Sequence, residues 1–333
     1  MNGGVQSFFR WSGVLLALLG ACVAQAGSFG TFPLPTPNAA PTRLLLDARG
    51  QHWFVEGDTN RIGRFTEEGG RFAEFVIPTR GSLPSDLQVD GAGLIWFTEQ
   101  DANQLGRFDP VTESFKEYDI PTVRSLPVRL AIDRQGMVWF TEFYGNRLGR
   151  FDPRTETFTE YVIPTEESQP SGIVVDPAGE VWFIETRGNK LGHWNRRTSL
   201  IEEWPLPSPF SAPRDLAVDA AGTLWFGARS KKQLLSYQPT KGQFSTFPLP
   251  EGGAIDALTV DGAGKIVFTI GHVGKLGLFD PGRGAFITFD GLPGGSRPAG
   301  VVVDAKGSIW FTDLVKNSLV KVDGEAVSQL WTR

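Results

Sequence analysis

The feature that most constrains this chain is a sequence repeat of about 43 residues. An aromatic or apolar pair marks each copy, and successive pairs are 43, 43, 43, 43, 42 and 43 residues apart. These pairs are Trp53-Phe54, Trp96-Phe97, Trp139-Phe140, Trp182-Phe183, Trp225-Phe226, Val267-Phe268 and Trp310-Phe311. An aspartate precedes each pair, and the series is Asp47, Asp90, Asp133, Asp176, Asp219, Asp261 and Asp304. Seven such copies indicate a repeat architecture, because one unit cannot bury its own hydrophobic faces.

Each repeat predicts four short strands. In the second copy the apolar runs cover residues 82–90, 94–99, 104–109 and 114–121, and Gly, Pro, Asn or Asp bounds each run. Four strands per repeat make one blade, and seven blades packed in a circle bury the recurrent Trp-Phe pairs between sheets. We therefore expect an all-β fold, a seven-bladed β-propeller of four-stranded antiparallel blades, closed by pairing of the N- and C-terminal segments.

Two terminal segments resemble the outermost strand of a blade, and both cannot occupy the same position. Residues 29–35 match this strand and would complete the last blade from the N-terminal side. Residues 326–331 resemble it as well. We expect the N-terminal strand to close the ring at the outer edge.

The first 26 residues read as a secretory signal peptide. Arg10 precedes an apolar stretch at 11–21 that is short for a membrane span, and Ala24-Gln25-Ala26 is an A-x-A cleavage site. Residues 27–333 would then form a single propeller domain in a periplasmic or secreted protein. The alternative is a lipobox at 19–22, in which a lipid on Cys22 would anchor the protein to a membrane.

Charge and rare residues exclude several classes of function. The net charge of -5 disfavours nucleic acid as a partner. We also expect the protein to be a monomer. Cys22 is the sole cysteine, so an intrachain disulfide and a cysteine-based zinc site are impossible. Of the three histidines, we expect His52 to pack in a sheet and His193 to lie on the surface, whereas His272 is the best candidate for acid–base chemistry.

Blade geometry places two sets of charged residues at one end of the central channel. Carboxylates three positions after the tryptophan, which suggest a site for Mg2+ or Ca2+, are Glu56, Glu99, Glu142, Glu185 and Asp313. Charged residues near the start of the innermost strands, which suggest a ligand site that includes anion-binding guanidinium groups, are Arg43, Asp86, Arg129, Arg214, Asp215, Asp256 and Arg297. The alternative is that these side chains pair with one another and brace the blades.

The repeats resemble those of the virginiamycin B (streptogramin B) lyases. The resemblance rests on Ser168-Gln-Pro-Ser-Gly-Ile173, Glu180-Val-Trp-Phe-Ile-Glu185 and Gly188-Asn-Lys-Leu-Gly192, and it spans about residues 29–323. It implies a seven-bladed propeller. For the enzymes of the family it also implies a Mg2+-assisted elimination that linearises a cyclic depsipeptide at its ester bond, with a histidine as base.

The resemblance places that histidine directly after the proline of the last repeat, where this chain has Ala299. Arg297 stands where the family has an acid, and Asp313 remains near the end of the second strand. Loss of a general base typically costs a factor of about 10² to 10⁴ in rate. We therefore expect a module that binds a small molecule, peptide or glycan at the channel mouth. The alternative is a metal-dependent carbon-oxygen lyase or lactone hydrolase in which His272 substitutes as the base, and a purely structural scaffold ranks third.

Overall fold

The seven repeats form seven four-stranded antiparallel sheets, as predicted. The structure is a computed structural model that describes residues 29–250, 252–289 and 291–331. The predicted signal peptide at 1–26 and Cys22 lie outside the described residues. The first described strand, β1 (Phe29–Pro33), belongs to the seventh sheet.

The blades follow one another along the chain. Blades 1 and 2 contain β2 (Pro41–Leu46), β3 (His52–Glu56), β4 (Arg61–Thr66) and β5 (Arg71–Val76), then β6 (Pro84–Val89), β7 (Ile95–Glu99), β8 (Gln104–Asp109) and β9 (Ser114–Asp119). Blades 3 and 4 contain β10 (Pro127–Ile132), β11 (Val138–Glu142), β12 (Arg147–Asp152) and β13 (Thr157–Val162), then β14 (Pro170–Val175), β15 (Val181–Glu185), β16 (Lys190–Asn195) and β17 (Leu200–Pro205). Blades 5 and 6 contain β18 (Pro213–Val218), β19 (Leu224–Ala228), β20 (Gln233–Gln238) and β21 (Gln243–Pro248), then β22 (Ala257–Val260), β23 (Ile266–Ile270), β24 (Lys275–Asp280) and β25 (Ala285–Phe289). Blade 7 contains β26 (Pro298–Val303), β27 (Ile309–Asp313), β28 (Ser318–Val322) and β1.

The blades form a closed ring. The first strand of each blade contacts the first strand of the next, and β26 contacts β2. These first strands therefore surround the central channel, and we name the strands of a blade a to d from the channel outwards. The end of the channel at which strand d leads into the next strand a, and strand b leads into strand c, is called the upper face.

The N-terminal strand closes the ring, as expected. β1 pairs with β28 from Phe29 opposite Val322 to Pro33 opposite Ser318. The segment 326–331 is not a strand but part of the helix α1 (Gly324–Trp331). Its apolar residues recur at helical spacing, so that Val327 and Leu330 are both buried against blades 6 and 7. The side chain of Asp323 accepts a hydrogen bond from the amide of Glu325 and caps the helix.

The repeat aspartate couples a turn to the aromatic core. In blade 3 the Asp133 carboxylate accepts hydrogen bonds from the amides of Gln135 and Met137 and, at 2.9 Å, from Trp139 Nε1. The bond from tryptophan to aspartate recurs in every blade that has the tryptophan. A single carboxylate therefore orders the turn between strands a and b and satisfies the buried indole N–H.

The remaining core lies between the blades. Trp53 and Phe97, from blades 1 and 2, belong to one buried cluster. Within blade 3 the ring of Phe140 lies over Gly149, where a Cβ atom would be 2.1 Å from the ring. Glycine in strand c therefore leaves room for the phenylalanine of strand b.

Asparagine side chains tie the loops of the upper face together. These turns lie in the left-handed region that asparagine tolerates, with φ values of 49 to 60° at Asn60, Asn103, Asn146, Asn189 and Asn317. Asn60 donates to the carbonyl oxygens of Ile77 and Thr79 and accepts from the amide of Ser82. In blades 5 and 6 the loop between strands b and c instead forms the short 3-10 helices η1 (Arg229–Lys231) and η2 (Gly271–Val273). No helix of the described residues is long and apolar enough to cross a membrane.

Candidate functional site

Four of the sequence-predicted ligand residues meet across the channel. Arg43 of blade 1 bridges two aspartates, with Nε 2.8 Å from Asp86 Oδ1 and Nη1 3.2 Å from both carboxylate oxygens of Asp215. Arg129 Nε lies 3.7 Å from Asp215 Oδ1. These four residues come from strands a of blades 1, 2, 3 and 5. Equivalent positions of the repeat thus converge although they are far apart along the chain.

The pairing favours the ionised form of Asp215. Burial alone would raise the pKa of Asp215, but Arg43, Arg129 and the amide of Leu258 outweigh it, so the pKa is lowered. Burial opposes the charge on Arg43 as well, and the two aspartates reverse that effect and raise its pKa. Asp86 also accepts a hydrogen bond of 2.9 Å from the amide of Leu130. These contacts brace the hub by tying the first strands of blades 1, 2, 3 and 5 together.

Three further arginines stand around this cluster. Arg229 Nη2 lies 2.9 Å from Asp256 Oδ1, and the second oxygen of Asp256 accepts a hydrogen bond of 2.9 Å from the amide of Gly271. Within the described residues, Arg214 has no hydrogen bond or ion pair. It is exposed to the channel mouth, yet surrounding protein atoms and the charges of Arg129 and Arg229 lower the pKa of its guanidinium. Arg297 is exposed at the rim.

Two adjoining cavities open at this mouth. The arginine cavity, about 160 Å3, is lined among others by Arg43, Arg129, Arg214, Arg229, Asp256, Arg297 and Ala299. The large cavity, about 510 Å3, has an apolar wall that includes Leu83, Pro84, Val128 and Phe143. Thr42, Arg129, Arg214 and Arg229 line both cavities. The shared residues join the two spaces into one site on the upper face.

The predicted metal ligands do not converge. Glu56, Glu99, Glu142 and Glu185 are buried in four separate blades, and each interacts with a strand-d glutamate of its own blade. Burial, with a smaller effect from the neighbouring glutamate, raises the pKa of Glu56 to about 7 and that of each of the other three to about 8. Asp313 accepts hydrogen bonds from the amides of Arg297, Val315 and Lys316.

This arrangement does not fit a shared divalent cation. A hard cation takes six or more oxygen ligands around one point, whereas these carboxylates lie on strands b of five separate blades. Among the described residues, no group of three or more His, Cys, Asp or Glu side chains is placed to hold a metal ion.

The three histidines occupy different environments. His272 is exposed in η2 and lines a separate depression of about 680 Å3, which shares Arg297 with the arginine cavity. His52 is packed as expected, 4.1 Å from the ring of Trp310, and burial lowers its pKa to about 4. The prediction for His193 was wrong: this ring is buried, stacks on Trp182 at 4.3 Å and lies 3.0 Å from Glu180. Trp182 on the neighbouring strand b, and Glu180 directly before that strand, cover the ring.

Sequence reasoning missed two parts of the site. Arg229 begins the loop between strands b and c, at a position where the residue type varies from blade to blade, so the repeat gives no signal there. The equivalent residues are Gly57, Gln100, Phe143, Thr186, Gly271 and Leu314. Phe143 follows the buried Glu142 in blade 3 and lines the large cavity. Neither belongs to a repeated charged series, so neither stood out in the sequence.

Comparison with known proteins agrees with the architecture. The family model of the virginiamycin B lyase family matches residues 20–236. A streptogramin B lyase structure superposes with a TM-score of 0.83 at 28% identity, covering 88% of this chain and 96% of that one. Selenomethionine-substituted virginiamycin B lyase from Staphylococcus aureus superposes with a TM-score of 0.83 at 25% identity, covering 89% and 98%.

A second crystal structure of the Staphylococcus aureus enzyme is of a catalytically inactive histidine-to-alanine variant with quinupristin, also at a TM-score of 0.83, 25% identity and coverage of 89% and 98%. A search of curated protein sequences gives no significant match. The match to the family model covers more than half of the chain, and the superposed lyase structures cover nearly all of it. This chain belongs to the virginiamycin B lyase family.

Proposed function

We propose that this chain is an exported propeller that binds a small molecule, peptide or glycan at the mouth of its channel. The observation that carries the proposal is the large cavity of about 510 Å3, which adjoins the arginine cavity. Ligand sites in proteins commonly have volumes of about 300 to 1,000 Å3 and combine apolar walls with a few polar groups. The wall formed by Leu83, Val128 and Phe143, beside the shared arginines, has this character.

Binding without the family's chemistry is favoured by the composition of the mouth. Ala299 lines the arginine cavity at the position where the resemblance places a histidine. Its side chain cannot accept a proton, and Asp86 and Asp215 are already committed to Arg43. Binding needs no general base, so the shape and polarity of the channel mouth are sufficient for it.

Thermal shift with a defined panel tests the proposal. The panel contains quinupristin, cell-wall peptides and oligosaccharides, each with and without Mg2+. We expect at least one of them to stabilise the wild type and to lose its effect in Val128→Trp, which fills the large cavity. Val111→Trp, at a side chain 80% exposed in the turn between strands c and d of blade 2, is the matched control. The proposal fails if no compound stabilises the protein, or if Val128→Trp still responds.

The alternative is a metal-dependent carbon-oxygen lyase or a lactone hydrolase, which family membership favours. Incubation with Mg2+ and a streptogramin B, or with simple lactones, followed by mass spectrometry and chromatography decides between them. Elimination opens the ring without a change in mass, whereas hydrolysis adds one water. We expect no turnover. Turnover that disappears in His272→Ala would overturn this expectation and establish the enzyme.

Export rests on residues 1–26 and is tested separately. Expression in a Gram-negative bacterium with a labelled fatty acid distinguishes the two processing routes. Cleavage after Ala26 leaves a periplasmic protein without label, whereas lipid modification of Cys22 gives a labelled membrane protein. Cys22→Ser should leave export unchanged in the first case, and retention of the intact chain in the cytoplasm would contradict both.

A further inference from the structure

The mouth of the channel has the opposite charge to the chain as a whole. Five arginines and three aspartates meet there, an excess of two positive charges in a protein with a net charge of -5. The large cavity adds one carboxylate, Asp58. A local excess of guanidinium groups in a concave site focuses a positive potential onto whatever enters it.

The aspartates of the mouth are already saturated. Asp86 and Asp215 are buried between Arg43, Arg129 and backbone amides, and Asp256 is shared by Arg229 and the amide of Gly271. None of these carboxylates lies within ion-pair distance of Arg214, which also has no other hydrogen-bond partner among the described residues. Its guanidinium is therefore available to a ligand.

Like charges surround this available group. Arg129 and Arg229 line the same two cavities as Arg214. Burial, followed by these two like charges, lowers the pKa of the Arg214 guanidinium, and the opposing effects of Asp256 and Asp215 are smaller. Such crowding of cations costs stability unless an anion binds between them. Planar guanidinium groups recognise a carboxylate or phosphate through paired hydrogen bonds, which makes an oxyanion the fitting occupant.

Arg214 lies where the two cavities meet, and this position indicates where the charged and the apolar parts of a ligand would lie. On one side lies the arginine cavity, and on the other the apolar wall of Leu83, Pro84, Val128 and Phe143. Building on the ligand-binding function proposed above, we propose that the mouth takes an apolar molecule bearing one oxyanion. The oxyanion binds Arg214 between Arg129 and Arg229, and the apolar body fills the large cavity.

A matched pair of probes tests this proposal by isothermal titration calorimetry. N-acetyl-L-phenylalanine carries the carboxylate, and N-acetyl-L-phenylalaninamide differs from it only in lacking the charge. We expect the acid to bind wild type at least tenfold more tightly than the amide, and the difference to shrink as salt is added. Phenyl phosphate tests whether a phosphate group is preferred to a carboxylate.

Three variants locate the anion. Arg214→Gln should remove the preference for the acid over the amide, and Arg214→Lys should restore part of that preference. Arg154→Gln, in an exposed turn at the opposite end of the channel, removes the same charge and should have no effect. Unfolding in urea confirms that each variant is folded.

The outcomes separate this inference from the function on which it rests. Equal binding of acid and amide to wild type overturns the oxyanion site and leaves ligand binding in the large cavity standing. A preference for the acid that survives Arg214→Gln also overturns it. If neither probe binds while the panel described above stabilises the protein, the inference fails and the proposed function is retained.

Discussion

Blades 1 to 4 and blades 5 to 7 differ at one position beneath the upper face. In the first group strand b ends in a buried glutamate that faces a second glutamate on strand d, for example Glu142 and Glu160 in blade 3. Glu160 also accepts hydrogen bonds from the amide and hydroxyl of Thr122 in the preceding linker. In blades 5 and 6 Ala228 or Ile270 occupies the strand-b position. The strand-d position then carries a threonine, and blade 7 has Asp313 on strand b and a threonine at the strand-d position as well.

The difference separates scaffold from site. The paired glutamates lock each linker to the next blade, and this arrangement repeats unchanged through the first four blades. Where the pair is lost, the loops carry Arg229, Asp256 and Arg297, and all three line the arginine cavity. Blades 1 to 3 thus supply the apolar wall of the large cavity together with Arg43 and Arg129, and the irregular blades add the charges of their loops to the arginine cavity.

The largest expected effect is a loss of stability as the pH rises. Both carboxylate oxygens of Glu99, Glu142 and Glu185 are buried without a hydrogen bond of normal geometry, and each group lies beside a second carboxylate, so burial favours the protonated form. The pKa of these glutamates is 4.5 ordinarily and about 8 when folded. Their stabilising effect is complete below pH 4.5 and is lost as the pH rises through 8. One pKa unit corresponds to about 1.4 kcal/mol, so the shift of a single one of these glutamates corresponds to a loss of at most about 5 kcal/mol in the free energy of unfolding.

A neutral analogue isolates this effect. Glu142→Gln keeps the shape of the side chain but cannot lose a proton. Urea unfolding from pH 5 to 9 should therefore show a free energy of unfolding that falls less steeply than in wild type and is higher than in wild type above pH 8. Glu166→Gln, at an exposed linker position, is the control for simple charge removal. A decline equally steep in wild type and Glu142→Gln would show that the glutamate pair does not retain a proton.

The next largest effect is a loss of stability when equivalent core side chains of blades 3 and 6 are truncated. Trp139→Ala removes a buried indole that lies 4.6 Å from Trp194 and donates to Asp133, and should cost about 3 to 5 kcal/mol in the free energy of unfolding. Val267→Ala at the equivalent position of blade 6 removes much less apolar volume and should cost about 2 kcal/mol. Urea unfolding followed by circular dichroism measures both. Equal losses would mean that blade 6 relies on this position as much as blade 3 does.

A smaller effect distinguishes the hub from the mouth. Asp215→Asn leaves Arg43 with one of its two carboxylates, and we expect a loss of about 2 to 3 kcal/mol, because the site is buried but not fully dry. Asp256→Asn breaks a pair whose side chains are 27% and 34% exposed, and should cost less than about 1 kcal/mol. The same unfolding assay applies. A larger loss of unfolding free energy for Asp256→Asn than for Asp215→Asn would mean that the ion pair at the rim stabilises the fold more than the buried cluster does.

The sequence predicts the fold well because the same marker residues recur at the same spacing in every blade. Asp133 and Trp139 could be assigned to a turn and a core position before their hydrogen bond was seen. Arg43 and Asp215 could be brought together for the same reason, since equivalent positions on strand a all face the channel. The glutamates were harder to place: Glu142 shares a face with Phe140, two residues earlier, which lies over strand c rather than in the channel.

The least predictable parts are those that depart from the repeat. Nothing in the periodicity indicates that Arg229 begins a 3-10 helix or that it shares a cavity with Phe143. These contacts depend on how individual loops fold over the channel. The C-terminal segment shows the same limit, because its likeness to strand d was overridden by helical spacing of Val327 and Leu330.

The smallest expected effect lies at the edge of the proposed anion site. Arg297 lines the arginine cavity and the depression that contains His272, but not the large cavity. Because it is exposed and outside the junction of the two cavities, Arg297→Gln should weaken binding of N-acetyl-L-phenylalanine by about twofold, as expected for a screened charge. Calorimetry at low and high salt measures this change against that of Arg214→Gln. A larger loss for Arg297→Gln would move the oxyanion towards blade 7 and the loop of His272, and would make the last blades, rather than the junction with the large cavity, the centre of recognition.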